Sequence, residues 1–504
     1  MSPELEAKLI APDEMQLPDL NGIVEGATAV RLPERHLEAV YYDTAELQLA
    51  RSGITVRYRI GEDGPTWTVK LPEANSGAAL RRREVMFDGP REPIPAEVAD
   101  LVRAYTRSRP LQQAACLRTD RTPIEFRGRD GQRLAEVTDD RVTVHAGPGQ
   151  PGGQFREIEV EVHADRNVGR DLLRAATHCL LAAGCRAEPP IPKLIRALGQ
   201  RASSPPEVVI PHLGSGATVS ALIRHATSRS ITQIMRHDPG VRLGEDPEDV
   251  HRFRVATRRL RSDLRTFAPL FDPHQVSALR DGLRLLGAKA GAARDTDVLT
   301  GRLKATANQV PQQDAAGVEE LIRRLDSQAR AARAALLDAL RSPAYDQLLD
   351  ALVSVASQPP VAAEPPGLAD RPAADVVRGL IRRPWRRLKR AAKALGSSSP
   401  NTEWHAVRIR AKRCRYAAEA VAPICGRRAK RFAAAIAAVQ DLLGAYQDTV
   451  VAEAWLRDAS ATVPAACVTA GELIAAERLE RDKLRARWPA AWKQASAKKL
   501  RRWF

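Results

Sequence analysis

Apolar positions follow two different periods along the chain, and the change lies near residue 200. Before it, apolar and polar residues alternate in LEAKLI, ITVRYRI, TWTVKL, REVMF, LAEVT and REIEVEV, with turns rich in Gly, Pro and Asp between them. Alternation of this kind is typical of half-buried β-strands. A few segments, notably 95–105 and 168–184, have the spacing of helices. We therefore predict an α+β domain with an antiparallel sheet over residues 1–201.

Beyond the boundary, apolar residues recur at helical spacing throughout, as in VSALIRHATSRSITQIMRH and QVSALRDGLRLLGAKAG. The segment 202–217, which is rich in Pro, Ser and Gly, is predicted to be a linker. A second Pro-rich segment at 358–375 divides the helical region into halves of about 218–357 and 373–504. We predict an all-α domain over residues 218–504.

The two helical halves carry the same basic motif about 154 residues apart. The first copy consists of His251, Arg254, Arg258 and Arg261, and the second of His405, Arg408, Lys412 and Arg415. Positions spaced i, i+3, i+7 and i+10 lie within about 80° of arc on a helix. Neither set contains a carboxylate, which weakens the ordinary interpretation of a solvated, self-paired helix face. We predict two related helical bundles whose basic helices face a shared groove.

The charge of the chain is divided in the same way. The 504 residues have a net charge of +17. Residues 1–204 contain 28 Lys and Arg against 30 Asp and Glu, whereas the remaining residues contain 50 against 31. The basic excess therefore belongs to the helical region and favours polyanionic partners. No apolar run approaches the roughly 20 residues of a membrane helix, and the acidic N-terminal segment does not resemble a secretion signal, so we predict a cytoplasmic protein.

Strong charges occupy one face of several predicted strands. They are Glu4, Glu6 and Lys8, then Arg57 and Arg59, Lys70, Arg82 and Glu84, and finally Glu157, Glu159 and Glu161. A single face of this kind is usually solvated, but enclosed charges cost free energy unless they neutralise one another or a ligand neutralises them. Carboxylates are ligands for Mg²⁺ or Mn²⁺, and Arg binds phosphate oxygens. The combination predicts a metal-dependent site for a phosphate chain.

These motifs, together with Arg121 in LRTDRT and the AEVTDD segment, resemble the CYTH domain of the triphosphate tunnel metalloenzymes over about residues 2–200. The resemblance implies an eight-stranded antiparallel tunnel barrel that hydrolyses a triphosphate with Mg²⁺ or Mn²⁺. It implies metal binding by Glu4, Glu6, Asp139, Glu159 and Glu161, and triphosphate binding by Lys8, Arg57, Arg59, Lys70, Arg82, Arg121 and Lys193. Glu4, Glu6 and Lys8 would be catalytic. We expect inorganic triphosphate to be the substrate, while thiamine triphosphate, RNA 5′-triphosphate and ATP stay open.

The helical region resembles the CHAD domain through VHRFRVATRRLRS, AARDTDVL, WHAVRIRAKRCRYAAEA and QDLLGAYQDT. This resemblance implies that inorganic polyphosphate binds to the two basic sets of His251 to Arg261 and His405 to Arg415. Nucleic acid is disfavoured because aromatic residues make up only 4% of the chain. Two alternatives stay open: a non-catalytic polyphosphate-binding scaffold, and an RNA 5′-triphosphatase associated with nucleic acid. Two further basic clusters, at 382–393 and 498–504, have no assigned role.

Overall fold

The computed structural model describes residues 5–61, 64–72, 82–145, 152–163, 166–187, 191–308, 310–396 and 398–504. The chain divides into two compact units, Met1–Glu207 and Val208–Phe504. The division falls within the segment 202–217, whose role as a linker stays a prediction. The two units are called the sheet unit and the helical unit below.

Ten strands of the sheet unit form one antiparallel sheet within the described residues. They are β1 (Leu5–Ala11), β2 (Ala27–Arg31), β3 (Arg35–Asp43), β4 (Thr55–Ile60), β5 (Thr66–Pro72), β6 (Arg82–Phe87), β7 (Gln112–Gly128), β8 (Arg133–His145), β9 (Gly153–Val162) and β10 (Arg186–Ala187). The strand order is β10-β1-β9-β8-β7-β3-β4-β5-β6, and β2 pairs with β7 beside this path. The predicted α+β class with an antiparallel sheet is confirmed.

Five helices accompany the sheet in the described part of this unit: α1 (Gln48–Arg51), α2 (Ala96–Leu101), α3 (Arg103–Thr106), α4 (Arg166–Ala182) and α5 (Lys193–Leu198). Helix α4 packs Leu172 and Leu180 against Leu9 and Ile158 on one face of the sheet. Helix α5 packs Leu194 into a separate cluster with Tyr41, Leu117 and Val142, which belong to the opposite face. That second face also carries the charged residues, as the strand registers below show.

The sheet differs from the predicted barrel in strand number and in closure. The short strands β2 and β10 bring the count to ten, whereas eight were predicted. Among the described residues, no ladder joins β6 to β1 or β10, so hydrogen bonds do not close the sheet. The barrel stays a prediction.

The described residues of the helical unit form eight α-helices. They are α6 (Val219–Leu243), α7 (Pro247–Thr266), α8 (Pro273–Ala307), α9 (Ala315–Arg341), α10 (Pro343–Ser357), α11 (Ala373–Ala394), α12 (Asn401–Thr462) and α13 (Cys467–Ala495). Gly426 interrupts α12 with φ 64°, a left-handed conformation that glycine adopts readily. The prediction of a helical C-terminal region is confirmed. None of the described helices combines the length and apolarity that crossing a bilayer requires.

The apolar sides of the basic helices are buried, with one exception. Phe253, Leu260 and Leu264 of α7 are fully buried, as is Val421 of α12. Ile409 in the second basic helix is 36% exposed. The neighbouring residues Val407 and Ala411 are buried in its place, because the packed stripe of α12 runs through them.

Aromatic residues from the two unassigned basic clusters contribute to a core. Trp385 in the first cluster stacks on Trp492 of α13, with ring centroids 5.7 Å apart, and its edge meets Phe432. Trp503 and Phe504 in the second cluster pack against the same Phe432. The aromatic side chains of these clusters are therefore structural, and only their basic residues remain to be explained.

Candidate functional site

The strand register places the predicted charges of the sheet unit on one face. Lys8 of β1 lies opposite Glu159 of β9, and Glu6 lies opposite Glu161. On the other side of β9, Glu161 lies opposite Glu136 and Glu157 opposite Asp140, both of β8. Directly opposed residues of antiparallel strands point to the same face. The face therefore carries a continuous patch of carboxylates across three strands.

Lys193 is the centre of this patch. It is the first residue of α5, and its Nζ lies 2.5 Å from Asp140 Oδ2, 3.3 Å from Glu159 Oε1 and 3.5 Å from Glu157 Oε1. Arg121 of β7 donates two hydrogen bonds of 2.7 Å to the same Asp140. Lys8 Nζ donates to Glu159 Oε1 at 2.6 Å. Three cations thus neutralise a group of carboxylates that are largely removed from water.

The pKa values in the patch follow from burial and from these contacts. Burial lowers the pKa of Lys193, but Glu159 and Asp140 outweigh it and hold the pKa above its ordinary value. Burial likewise raises the pKa of Glu159, yet Lys193 and Lys8 keep it well below the usual range. Glu157 behaves differently, because burial dominates and raises its pKa to about 7. Glu159 and Lys193 are therefore both charged at neutral pH, whereas Glu157 titrates close to it.

The strands β4, β5 and β6 supply a basic region on the same face. Lys70 lies opposite Thr55 on β4 and Glu84 on β6, and its ammonium forms an ion pair with Glu84. Burial and the neighbouring Arg57 lower the pKa of Lys70. The buried Nε of Arg57 has no hydrogen-bond acceptor among the described residues. Positive charge is thus in local excess around Arg57, and an anion would relieve it.

The carboxylate patch and the basic region approach each other through the ends of the strand path. Burial lowers the pKa of Arg82 on β6, and the carboxylate of Glu6 on β1 partly reverses that effect. These two residues therefore interact electrostatically although no ladder joins their strands within the described residues. The guanidinium of Arg59 helps to lower the pKa of Glu84, so Arg59 belongs to the basic region as well.

The residues at one end of the patch suit a divalent cation. Glu136, Glu161 and His163 each place a possible ligand atom within 4.8 Å of the others. Glu6 lies opposite Glu161 at the same level of the sheet. Carboxylate oxygens in this number are the ligands that Mg²⁺ and Mn²⁺ prefer. Glu4, predicted to be a metal ligand, lies outside the described residues.

Asp139 does not join the other predicted metal ligands. It lies opposite Ile158 on β9, so its side chain is on the face that packs against α4. There it accepts two hydrogen bonds from Arg156, at 2.8 Å and 2.7 Å. The adjacent Asp140 points to the charged face, because successive residues of a strand alternate in direction. The predicted grouping of Asp139 with Glu159 and Glu161 is therefore wrong in position, and Asp140 takes that place.

The two basic motifs of the helical unit meet at their central members. Burial lowers the pKa of Lys412 to about 7, and three guanidinium groups contribute to this shift. Arg408 has the largest effect of the three, followed by Arg258 and Arg254 of the first motif. The Nε of Arg408 is buried and has no hydrogen-bond acceptor in the described parts of the chain. These four cations, two from each copy, form what we call the basic centre.

Two aspartates and two glycines support the basic centre in a repeated arrangement. Arg254 Nη2 lies 3.0 Å from Asp295 Oδ1. In the second copy, the carboxylate of Asp448 raises the pKa of Arg408 and so opposes the lowering caused by burial. A Cβ atom on Gly291 would lie 3.6 Å from Arg254 Nε, and one on Gly444 would lie 3.9 Å from Arg408 Nε. A Cβ atom at these distances would make ordinary van der Waals contact, so the two guanidinium groups lie directly beside the two glycines.

The outer members of the motifs have different surroundings. Arg261 lines a separate cavity of about 230 Å³ with Arg265, Arg280 and Arg284. Arg415 Nε donates to Glu419 at 2.8 Å, and Glu419 also pairs with Arg259. His405 lies 2.8 Å from Gln447, whereas His251 borders a cavity of about 270 Å³, where burial lowers its pKa. Of the eight predicted polyphosphate-binding residues, the four of the basic centre therefore lie together, whereas the other four have separate surroundings.

Comparison with known proteins identifies both regions. A CYTH domain model matches residues 2–183, and a CHAD domain model matches residues 225–457. A Mycobacterium tuberculosis protein is 32% identical to this chain over 471 residues, and the match covers 89% of this chain and 87% of the relative. It is named "Uncharacterized protein Rv2226" in strain H37Rv and "Uncharacterized protein MT2285" in strain CDC 1551. The chain belongs to the family of CYTH–CHAD proteins.

Two solved structures resemble the individual domains. The CHAD domain from the plant Ricinus communis is 28% identical, with a TM-score of 0.48, and the match covers 57% of this chain and 96% of that one. HpAC1 from Hippeastrum, for which a dominant triphosphatase activity is described, is 16% identical, with a TM-score of 0.24 and coverage of 39% and 94%.

Three residues of the CYTH domain site were missed by the sequence analysis. Asp140 and Glu136 both lie in the AEVTDD segment, and the period of two places residues 136, 138 and 140 on one face. Counting from Glu136 would therefore have selected Asp140 and rejected Asp139. His163 follows Glu161 at the same period and would have been found in the same way. In the CHAD domain, nothing in the sequence pattern indicated Gln447.

Proposed function

We propose that the CYTH domain hydrolyses inorganic triphosphate or a related triphosphate with Mg²⁺ or Mn²⁺, and that the CHAD domain binds inorganic polyphosphate. The observation that carries the first part is the division of one sheet face into carboxylates around Glu161 and cations around Arg57. A phosphate chain needs cations along its length, and a divalent ion needs carboxylates at one end. The arrangement meets both needs on one surface.

The cations of this face would bind and orient the substrate. Arg57, Arg59, Lys70 and Arg82 supply donors on β4 to β6, and Arg57 has a buried Nε free for an oxygen acceptor among the described residues. Lys8, Arg121 and Lys193 would hold phosphate oxygens at the carboxylate end. Because phosphoryl transfer depends mainly on positioning and charge neutralisation, no nucleophilic Ser or Cys is needed.

The carboxylates Glu6, Glu159 and Glu161, with Glu4 and the newly found Glu136 and Asp140, would hold the metal and the attacking water in place. The divalent ion would supply neutralisation of phosphate charge and a more acidic bound water. Lys193 and Lys8 together keep the pKa of Glu159 low, so this carboxylate is ready to act as a ligand at neutral pH. We also propose that the sheet curves into the family's tunnel, which the interaction of Glu6 with Arg82 supports.

Phosphate release from tripolyphosphate tests the enzymatic proposal. We expect release that requires Mg²⁺ or Mn²⁺ and stops on chelation, and a loss of about 100-fold or more in E6Q and E161Q, as removal of an electrostatic partner produces. E38Q is the matched control, because Glu38 pairs with the exposed Arg118 on the other face of the sheet. Metal-independent or absent release would contradict the proposal and favour a non-catalytic scaffold. A parallel assay with RNA 5′-triphosphate as substrate tests the alternative of an RNA 5′-triphosphatase.

The polyphosphate proposal rests on the basic centre. Burial lowers the pKa values of Arg254, Arg408 and Lys412, and the guanidinium of Arg258 contributes to the lowering of all three. The two nearby aspartates leave Arg408 Nε without an acceptor in the described structure. A flexible phosphate chain would supply the missing charge and acceptors. The two-bundle organisation that would form this groove is part of the proposal.

Binding of long-chain polyphosphate at fixed salt tests this proposal. The double variant R254A/R408A is expected to lose affinity by about tenfold to 100-fold, since each charged contact contributes on the order of 1 kcal/mol. R252A is the control, because Arg252 pairs with Glu248 on an exposed part of α7. Unchanged affinity in the double variant, or preference for DNA or RNA in direct competition, would overturn the assignment of the partner.

A further inference from the structure

A cleft of about 960 Å³ lies between the C-terminal end of α7, helix α11 and the first part of α12. Its volume is at the upper end of the range for sites that bind small molecules. None of the eight predicted polyphosphate-binding residues lines it. The cleft includes residues of the unassigned cluster 382–393, so the function proposed above does not account for it.

Six arginines line the cleft: Arg265, Arg383, Arg387, Arg390, Arg410 and Arg413. The described lining residues include no Asp or Glu. Burial and the guanidinium of Arg413 lower the pKa of Arg265, and burial and the guanidinium of Arg410 lower the pKa of Arg413. These arginines therefore repel one another without a counter-ion from the cleft, and an anion would stabilise them.

The remaining wall of the cleft is apolar. Among the other described lining residues, only Ser262 and Thr266 have polar side chains, whereas Leu270, Val376 and Leu380 supply hydrocarbon surface. Helix α11 buries one stripe, Val377, Ile381 and Trp385, and turns Val376 and Leu380 toward the cleft. A bare phosphate chain would leave this surface without a partner. The wall and the arginines together fit a ligand that is both anionic and apolar.

We propose that this cleft binds an anionic amphiphile with one acyl chain and a phosphate head group. The guanidinium forks of Arg387, Arg410 and Arg413 suit a phosphate monoester, which accepts paired hydrogen bonds. The acyl chain would lie along the partly exposed Val376 and Leu380, beside the buried Leu270, and cover their remaining exposed surface. A concave cleft of this volume fits a single chain better than a flat membrane surface does. This site is separate from the basic centre, and it does not depend on polyphosphate binding.

Lysophosphatidic acid, used with the full-length protein below its micelle concentration, is the probe. Calorimetry is expected to show saturable binding at one site. Lysophosphatidylcholine, with the same chain and a head group without net charge, should bind at least about tenfold more weakly, and so should glycerol 3-phosphate, which has no chain. Equal binding of glycerol 3-phosphate would overturn the role of the apolar wall. Equal binding of lysophosphatidylcholine would overturn the role of the arginines.

Matched variants locate the site. R387A/R413A should reduce lysophosphatidic acid affinity by about tenfold or more, and R382A/R386A should not, because those exposed arginines of the same helix do not line the cleft. R254A/R408A should retain this binding even if it loses polyphosphate, so failure of either proposal is distinguishable. Unchanged affinity in R387A/R413A, with an unaltered melting temperature, would overturn the proposal. So would displacement of the lipid by polyphosphate in R254A/R408A, which would make the cleft a second polyphosphate site.

Discussion

At the scale of single residues, the adjacent pair Asp139 and Asp140 gives a matched test of which face of β8 carries the chemistry. Asp140 accepts hydrogen bonds from Arg121 and Lys193 on the charged face, whereas Asp139 pairs with Arg156 beneath α4. We expect D140N to lower metal-dependent triphosphate turnover about tenfold or more, because it releases two proposed substrate-binding cations from their position.

D139N is the control for this prediction. It breaks a buried ion pair and should reduce the free energy of unfolding by about 3 kcal/mol, but turnover per folded molecule should stay unchanged. Thermal unfolding and phosphate release, measured on the same preparations below the unfolding transition, check both parts. Equal loss of turnover in the two variants would contradict the assignment of faces.

The protonation of Lys412 predicts how polyphosphate affinity depends on pH. Burial and the adjacent Arg408 bring its pKa down to about 7, so the free protein loses this charge as the pH rises above 7. A bound polyanion favours the charged form and raises the pKa, so binding should take up a proton near pH 8. Affinity should therefore fall between pH 7 and 9. K412R, whose guanidinium stays charged, should show a flatter profile, and identical profiles would contradict this prediction.

At the scale of secondary-structure elements, the period of the apolar positions predicted most strands and the face that carries the charges, but it did not predict whether the sheet closes. The alternating segments became β1, β4, β5, β6, β8 and β9, because successive side chains of a strand point to opposite faces of the sheet. The 17-residue β7 was not predicted as a strand, because charges and Pro123 interrupt its alternation, and its LRTDRT part entered only as a motif of the family resemblance. The shared face followed from the spacing of charges, but the role of Lys193 at its centre depends on where α5 crosses the sheet, which no local pattern encodes.

Helix α7 contains a buried acid that should make stability depend on pH. Asp263 is 1% exposed; burial raises its pKa to about 7, and its Oδ1 has no hydrogen-bond partner among the described residues. The facing groups are Ser230, Arg259, Arg229 and Glu419. The unfolded chain ionises near pH 4 while the folded protein keeps the proton, so the stability from this group is complete at low pH and is lost as the pH rises to 7.

The variant D263N should remove this dependence. Because its amide cannot ionise, the free energy of unfolding at pH 8 should exceed that of the unmodified protein by about 2 kcal/mol, and the gain should disappear near pH 4. Denaturant unfolding at several pH values measures the difference. A variant that is less stable at pH 8 would show that the ionised carboxylate contributes favourably through Arg259.

At the scale of the whole molecule, the division of charge should separate the salt dependence of the two proposed functions. Residues 205–504 carry 50 Lys and Arg against 31 Asp and Glu, whereas residues 1–204 carry 28 against 30. Polyphosphate should bind by displacing condensed counter-ions, so the logarithm of its affinity should fall linearly with the logarithm of salt concentration. By analogy with single-stranded nucleic acid, each cation in contact contributes a slope of about 0.7.

Removing two contacts in R254A/R408A should therefore reduce the slope by about 1.4, while R252A should leave it unchanged. Titrations between low and physiological salt test this. An unaltered slope in the double variant would mean that the phosphate chain follows another part of the basic surface, and the basic centre would lose its proposed role.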